Sequence, residues 1–173
     1  MNLKFWGQNE FFENVQIIYQ YSFQLIDYPI EVATFLEDFL HSKYFKEDCL
    51  PLIVKRDVEH KHNFLKRVFN EDKLSIKDFK IMSKVKLLQF FDEYSKEESW
   101  RDDRNDFVRL NKKFDDFLMK ETCDTYFLLS KEWFPKNSII LDQFSVDIYI
   151  YYFLIIWIDE KEKLLTVCEW KYD

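Results

Sequence analysis

Residues 146–158 read VDIYIYYFLIIWI, and this stretch decides the fold. It is apolar except for Asp147 and is rich in β-branched and aromatic side chains, which is typical of a strand. Because side chains alternate across a strand, the even positions share a mostly aliphatic face, and the odd positions from Tyr149 to Trp157 share an aromatic face. Both faces need to be covered by other parts of the chain, so we expect this strand to lie inside a sheet.

The chain then turns through the charged sequence DEKEK and returns as LLTVCEWKY. A short loop between two such runs predicts a β-hairpin in which Leu164 pairs with Ile158 and Trp170 pairs with Tyr152. We therefore predict a hairpin over residues 146–172 at the centre of a sheet.

The same register places Cys168 beside Leu154 and puts Glu169 and Lys171 on the aromatic face. Cys168 is expected to pack there as a small hydrophobic side chain. The two charged residues leave two interpretations of the aromatic face. Core packing is the commoner role of such a surface, and the other role is a partly open surface that contacts a partner.

The chain before the hairpin shows helical spacing in most places. Apolar residues recur at intervals of one, three and four between Phe11 and Ile26, with Asn9 as N-cap, which favours an amphipathic helix. The alternation from Tyr19 to Leu25 favours a strand over a shorter window, so both assignments stay open at this point.

Further helices are predicted downstream. The apolar stripe from Val32 to Leu40 predicts a helix, with Asp27 as N-cap and Pro29 in its first turn. Asp57 opens another predicted helix, which carries the two histidines discussed below.

Between these helices and the hairpin, three more elements are predicted. Ser75 and Asp78 form a capping-box pattern that opens a helix, which is expected to break near Ser83. Residues 104–121 predict a helix, and TYFLLS at residues 125–130 predicts a strand.

The whole chain, residues 1–173, is long enough for one well-cored domain and too short for two. We predict a single domain of the α+β class. Its N-terminal two-thirds are expected to be mostly helical and to pack on a C-terminal antiparallel β-sheet with a terminal hairpin.

Composition argues against several classes of protein. The chain contains one Gly, so it lacks the glycine-rich loops that hold phosphate in nucleotide-binding folds. Cys49, Cys123 and Cys168 are odd in number and have no CxxC pairing, which argues against a disulfide framework and a zinc site. The N-terminal sequence MNLKFWGQNE has no long apolar core of the signal-peptide kind, and the 146–158 run is too short to span a membrane. We expect a soluble, cytoplasmic protein.

The net charge of −7 is unevenly distributed. Residues 1–54 carry three basic and eight acidic side chains, residues 55–86 carry ten and five, and residues 87–173 carry twelve and nineteen. An acidic chain with a basic middle is a poor general binder of nucleic acid and suits a basic protein partner better.

Candidate chemistry is sparse. On the predicted helix, His60 and His62 point about 160° apart, and no third metal ligand follows by spacing. Each cysteine is a candidate nucleophile with His41 as its base, but nothing in the sequence brings these residues together. We predict no catalytic residues, no metal and no cofactor.

A basic segment raises the question of DNA binding. Its basic side chains are lysines and not the arginines that usually read guanine, and its turn lacks Gly. A solvated basic face is therefore the better interpretation. The residues concerned are Ser75, Lys77, Lys80, Lys84 and Lys86.

The segment from Glu97 to Asp116 is the strongest candidate for a binding surface, because it holds seven carboxylates within twenty residues, with Trp100 and Arg101 among them. This composition predicts an acidic recognition surface with an aromatic anchor, although an ordinary polar loop and helix face would have a similar composition. The predicted partner-binding residues are Glu97, Glu98, Trp100, Asp102, Asp103, Asp106, Asp115 and Asp116.

In overall character, the chain resembles the immunity proteins of bacterial contact-dependent growth inhibition and related polymorphic toxin systems. Small size, acidity, scarcity of Gly, abundance of aromatic residues and lack of catalytic motifs carry this resemblance, which extends over the whole chain. It implies a function by binding, in which the protein occupies the active site or an essential exosite of a cognate toxin domain. Toxin domains that attack nucleic acid are commonly basic, so an acidic partner gains long-range steering.

Two other functions fit parts of the pattern. An acidic mimic of nucleic acid, which would inhibit a defence protein, needs carboxylates along one continuous face, and the basic middle of the chain interrupts such a face. A small hydrolase that uses Cys or His needs side chains that converge on one site, and the sequence indicates no such site.

Overall fold

The computed structural model describes residues 2–27, 31–45, 68–97, 103–141 and 149–172. The strands are β1 (Leu3–Glu13), β2 (Gln16–Leu25), β3 (Lys80–Met82), β4 (Tyr126–Ser130), β5 (Tyr152–Asp159) and β6 (Leu164–Tyr172). The α-helices are α1 (Val32–Leu40), α2 (Lys84–Tyr94) and α3 (Arg104–Leu118).

The six strands form one antiparallel sheet in the order β1-β2-β6-β5-β4-β3. α1 packs on one side of this sheet, which we call the α1 face, and α2 and α3 pack on the other side, which we call the aromatic face. The β5–β6 hairpin takes the two central positions, because its strands are apolar on both sides and need cover from both layers.

The predicted mostly helical N-terminal two-thirds is wrong, because the described chain begins with two long strands. β1 and β2 form a hairpin that includes most of the segment from Phe11 to Ile26, and the alternation after Tyr19 is the informative signal there. The hairpin turns at Asn14, which has a φ of 52°. Asparagine tolerates this left-handed backbone conformation better than most residues do. Most of β2 is buried, so packing in the sheet outweighs the helical spacing.

The register of the β5–β6 hairpin differs by one residue from the predicted register. Ile158 pairs with Leu165, and Phe153 pairs with Trp170. The reason is Asp159, which the sequence assigns to the charged loop but which lies buried at the end of β5.

The surrounding chain holds the Asp159 carboxylate in place. It accepts hydrogen bonds from the Thr122 hydroxyl at 2.6 Å and from the Glu162 backbone N–H at 2.9 Å. The loop is therefore one residue shorter than predicted and closes through Lys163, which has a φ of 52°.

A shift of one residue moves every side chain of β6 to the opposite face relative to β5. Cys168 pairs with Ile155 and not with Leu154, so its predicted contact is wrong. Glu169 and Lys171 lie on the α1 face, where both are buried. The interpretation of the aromatic face as core is confirmed from Tyr151 to Trp157, since α2 and α3 cover that face, but Tyr149 packs on the α1 face instead.

Trp170 lies at the centre of the aromatic face. Its ring centroid lies 4.5 Å from that of Phe91 on α2 and 4.8 Å from that of Phe107 on α3. Its indole N–H donates to the Tyr151 hydroxyl at 2.9 Å, and that hydroxyl donates to the Gln16 side chain at 2.9 Å. The polar atoms of these two buried rings therefore have partners inside the core.

The capping box of Ser75 and Asp78 is confirmed, but it opens only a short 3-10 turn. The chain then forms β3, and the side chain of Ser83 accepts from the Lys86 backbone N–H to cap α2. The predicted break near Ser83 is thus the boundary between a strand and a helix.

The remaining assignments differ mainly at their ends, where helix boundaries vary by a residue or two. α1 has Glu31 at its N-cap position, so the prediction of Asp27 as its cap is wrong. α3 and β4 agree with the predicted helix and strand. The helix predicted from Asp57, with His60 and His62, lies outside the described residues.

Candidate partner-binding site

The predicted acidic surface does not form one continuous patch among the described residues. Glu97, Asp103, Asp106, Asp115 and Asp116 are described, and they divide into an inward-facing pair and an outward-facing group. The other predicted site residues, Glu98, Trp100 and Asp102, lie outside the described residues.

Asp103 and Asp106 fasten the start of α3 to the sheet. Asp103 accepts a hydrogen bond from the Tyr172 hydroxyl, which raises the pKa of Tyr172 to about 12. Asp106 is buried and accepts from the Asn14 side-chain amide and from the Arg109 guanidinium. These two carboxylates therefore have structural partners within the chain.

Asp115 lies half-buried between the two helices of the aromatic face. Burial raises the pKa of its carboxyl to about 6, and the nearby charges of Asp116 on α3 and Asp92 on α2 raise it further. One of its carboxylate oxygens is buried and accepts no hydrogen bond. We call Asp92, Asp115 and Asp116 the acidic patch.

Few cations compensate this patch. Asp92 pairs with Lys96 at 2.6 Å, but both side chains are well exposed, so the pair is weak. Asp116 is exposed and makes no ion pair with a described residue. The side of α3 that faces β1 is different, because Arg109 and Lys113 both bind Glu13 there.

Glu97 extends the acidic surface beyond the end of α2. It is exposed, and its charge acts on the Glu132 carboxyl, whose pKa is raised first by burial and then by Glu97. The Tyr94 hydroxyl donates to that same carboxylate. Among the described residues, Glu97, Asp115 and Asp116 are thus the part of the predicted surface that remains available to a cation, and Asp92 joins them from α2.

Exposed apolar residues lie beside α3. Phe12 and Val15, at the β1–β2 turn, are 63% and 47% exposed, although the sequence pattern places both on the apolar side of a helix. The Lys113 ammonium donates to the Phe12 carbonyl oxygen at 3.1 Å and so connects this turn to α3. Sequence reasoning misses these residues because only the hairpin turn explains why they face solvent.

A separate cleft opens at one end of the sheet. It has a volume of about 540 Å³ and is bounded by the first turn of α1, by β3, by the chain before β4 and by the β5–β6 loop. Its lining includes Cys123, whose thiol is half-buried and contacts the Thr125 backbone. Burial raises the pKa of this thiol, and Asp159 and Asp124 raise it further, so it stays protonated at neutral pH and is a weak nucleophile.

The described residues do not pair this thiol with a base. His41 lies at the far end of α1, roughly 12 Å along the helix axis from the turn that lines the cleft. Its imidazole contacts Glu37 at 3.4 Å. In the described part of the chain, no group of three His, Cys, Asp or Glu side chains is arranged to hold a metal ion.

No helix among the described residues is both long and apolar enough to cross a membrane. No protein-family model matches the chain, and no curated protein or solved structure is significantly similar to it.

Proposed function

We propose that this protein is a cytoplasmic immunity protein that binds and neutralises a cognate, basic, nuclease-type toxin domain. The observation that supports this proposal best is the raised pKa of Asp115, to about 6, between Asp116 and Asp92. Three carboxylates are held together there by the packing of α2 on α3, although an exposed lysine is the only cation that pairs with them among the described residues.

A basic partner would relieve this repulsion as well as add its own attraction. Like charges held close together destabilise the free protein, and each cation that approaches them lowers that cost. Complementary charge of this kind mainly accelerates association and orients the two proteins. Tight binding also requires an apolar contact that loses its water, which the exposed side chains of Phe12 and Val15 offer beside α3.

The competing functions fit the structure less well. A mimic of nucleic acid needs regularly spaced carboxylates on one surface, whereas Asp103 and Asp106 are used to hold α3 on the sheet. A thiol hydrolase needs an ionised cysteine, whereas burial raises the pKa of Cys123 and of Cys168, and Cys49 lies outside the described residues.

The test is to copurify the protein with the product of the adjacent gene and to measure association rates at several salt concentrations. The double variant E97K/D116K changes two exposed carboxylates at the acidic surface. The matched control is D38K, which reverses an exposed carboxylate on α1, on the opposite side of the sheet.

We expect E97K/D116K to associate at least tenfold more slowly and with a weaker dependence on salt, because long-range attraction is lost. D38K should behave nearly as the wild type does. Equal rates and equal salt dependence for all three proteins, or no complex at all, would contradict the proposal.

A further inference from the structure

The cleft at the end of the sheet combines an apolar floor with a polar rim. The floor is formed by side chains of α1, β3, β4 and β5, and the rim is formed by the chain before β4 and by the β5–β6 loop. Its volume of about 540 Å³ lies within the range of sites that bind small molecules or single side chains. The floor residues are Val32, Ala33, Ile81, Phe127 and Ile158.

One wall of the cleft is formed by β3, the last strand of the sheet in the described part of the chain. β3 has only three residues and pairs with β4 on one side, and no described strand lies on its other side. Ile81 in the middle of β3 is 67% exposed although it belongs to the apolar floor. An extended chain that hydrogen-bonds to such an edge places alternate side chains over the neighbouring cleft.

The rim is predominantly acidic. Asp124 and Glu160 lie on it, with Lys161 as the cation among the described lining residues, and one oxygen of the Asp124 carboxylate accepts from the Lys84 backbone N–H at 3.1 Å. The negative charge continues behind the rim, where burial raises the pKa of Glu121 and the charge of Asp159 adds to that effect. The Lys84 ammonium donates to the Glu121 carbonyl oxygen at 2.6 Å, and its charge offsets part of this negative charge, because it lowers the pKa of Glu121.

We propose that the cleft binds an extended segment of a protein partner, in which an aliphatic side chain fills the floor and flanking lysine or arginine side chains meet Asp124 and Glu160. The open edge of β3 supplies backbone hydrogen bonds, the floor selects the apolar side chain and the rim selects the basic flanks. The inference rests on the proposed function, since the occupant is a segment of the same basic partner. It concerns a surface separate from the acidic patch.

Cys123 provides a reporter for occupancy, because its thiol lines the cleft. The test uses the full chain carrying C49S, so that Cys123 is the accessible thiol, since Cys168 is buried. The probe is the blocked peptide KTLTK, and the readouts are the rate of Cys123 alkylation by iodoacetamide and the affinity by calorimetry. The control peptides are KTDTK, which loses the aliphatic side chain, and ETLTE, which reverses the flanking charges.

We expect saturating KTLTK to slow alkylation at least fivefold, and both control peptides to have little effect. The variant I81E should bind KTLTK at least tenfold more weakly. Its matched control, I139E, changes an isoleucine of similar exposure (69%) that does not line the cleft, and it should bind normally.

Several results would overturn the inference. The proposed occupant would be excluded if KTLTK did not protect Cys123 from alkylation, or if KTDTK or ETLTE protected it equally well. It would also be excluded if the I81E variant bound KTLTK normally. Protection by a small apolar molecule such as cyclohexanol, without protection by KTLTK, would identify the cleft as a small-molecule site instead. E97K/D116K should bind KTLTK normally, so a failure of the peptide test and a failure of the toxin-association test can be told apart.

Discussion

The two faces of the sheet are built in different ways. The aromatic face is closed by α2 and α3, and its core consists of rings that contact one another around Trp170. The α1 face has a core that mixes aliphatic and aromatic side chains, and it also buries Glu169 and Lys171 and opens into the cleft at one end. Both faces thus have a buried core, whereas the described cleft opens only on the α1 side of the sheet.

The largest expected effect of a single substitution is on the aromatic face. Trp170→Ala removes a fully buried ring, its contacts with Phe91 and Phe107, and the donor of the hydrogen bond that the Tyr151 hydroxyl accepts. We expect the free energy of unfolding to fall by about 4 kcal/mol. Denaturant unfolding measures the change, and a loss below about 2 kcal/mol would mean that this face is less important for stability than its packing indicates.

The assignment of side chains to the two faces depends on Asp159. Asp159→Ala removes the acceptor for Thr122 and Glu162, and we expect a loss of about 2 kcal/mol in the free energy of unfolding. Burial alone would raise the pKa of Asp159, but these hydrogen bonds outweigh it and lower that pKa. The contribution is therefore present above about pH 4, the ordinary range of aspartate, and is lost as the pH falls through the lowered value.

Denaturant midpoints at pH 7 and pH 3 test this prediction, with Glu160→Ala as the control from the same loop. Glu160 is exposed, so its removal should change stability little at either pH. Equal effects of the two substitutions at pH 7 would show that Asp159 does not set the register.

The buried ammonium of Lys171 on the α1 face should contribute less to the free energy of unfolding than Asp159 does. The Lys171 ammonium lies 5.2 Å from the ring centroid of Tyr19 and 4.9 Å from that of Tyr149, and it donates to the Tyr149 hydroxyl at 3.2 Å. Lys171→Met keeps the length of the side chain and should cost about 1 kcal/mol. Thermal unfolding measures this effect, with Lys161→Met as an exposed control. If K171M is more stable than the wild type, burying the Lys171 charge costs more free energy than its contacts with the two rings contribute.

The smallest expected effect concerns Asp115, in the helices that cover the aromatic face. Its folded pKa of about 6 is above the ordinary value of 3.8, so ionisation at neutral pH opposes folding. The wild type should gain stability as the pH falls from 7 to 5, on the order of 1 kcal/mol after allowance for solvent screening of a half-exposed group. Asp115→Asn should remove most of this gain in stability. The control Asp38→Asn, at an exposed position on α1, should leave the gain unchanged. A D115N protein with the full pH dependence would exclude Asp115 as its source.

Local sequence patterns predict the structure of an element where the residues of that element alone determine it. The long apolar run gives the central hairpin, and TYFLLS gives β4. The capping box at Ser75 and the helical spacing after Arg104 also agree with the structure. The N-terminal segment is different, because its spacing fits both a helix and a strand until the neighbouring β6 is known.

The candidate site is predicted only in part, because long-range contacts decide which carboxylates face outward. Asp103 is held by Tyr172, 69 positions away, and Asp106 is held by Asn14, 92 positions away. The packing of α2 on α3 adds Asp92, which lies outside the acidic run in the sequence. A count of charges along the chain therefore finds the region but cannot separate structural carboxylates from exposed ones.

We expect the irregularity between Phe5 and Gly7 in β1 to hinder edge-to-edge pairing between copies of this protein. β1 has 11 residues and lies at the edge of the sheet, a position in which long regular strands recruit further chains and polymerise. The bulge interrupts the regular row of backbone donors and acceptors, and the Lys113 ammonium already occupies the carbonyl oxygen of Phe12. We therefore expect a second molecule to add a strand at β1 less readily than at a regular edge of the same length.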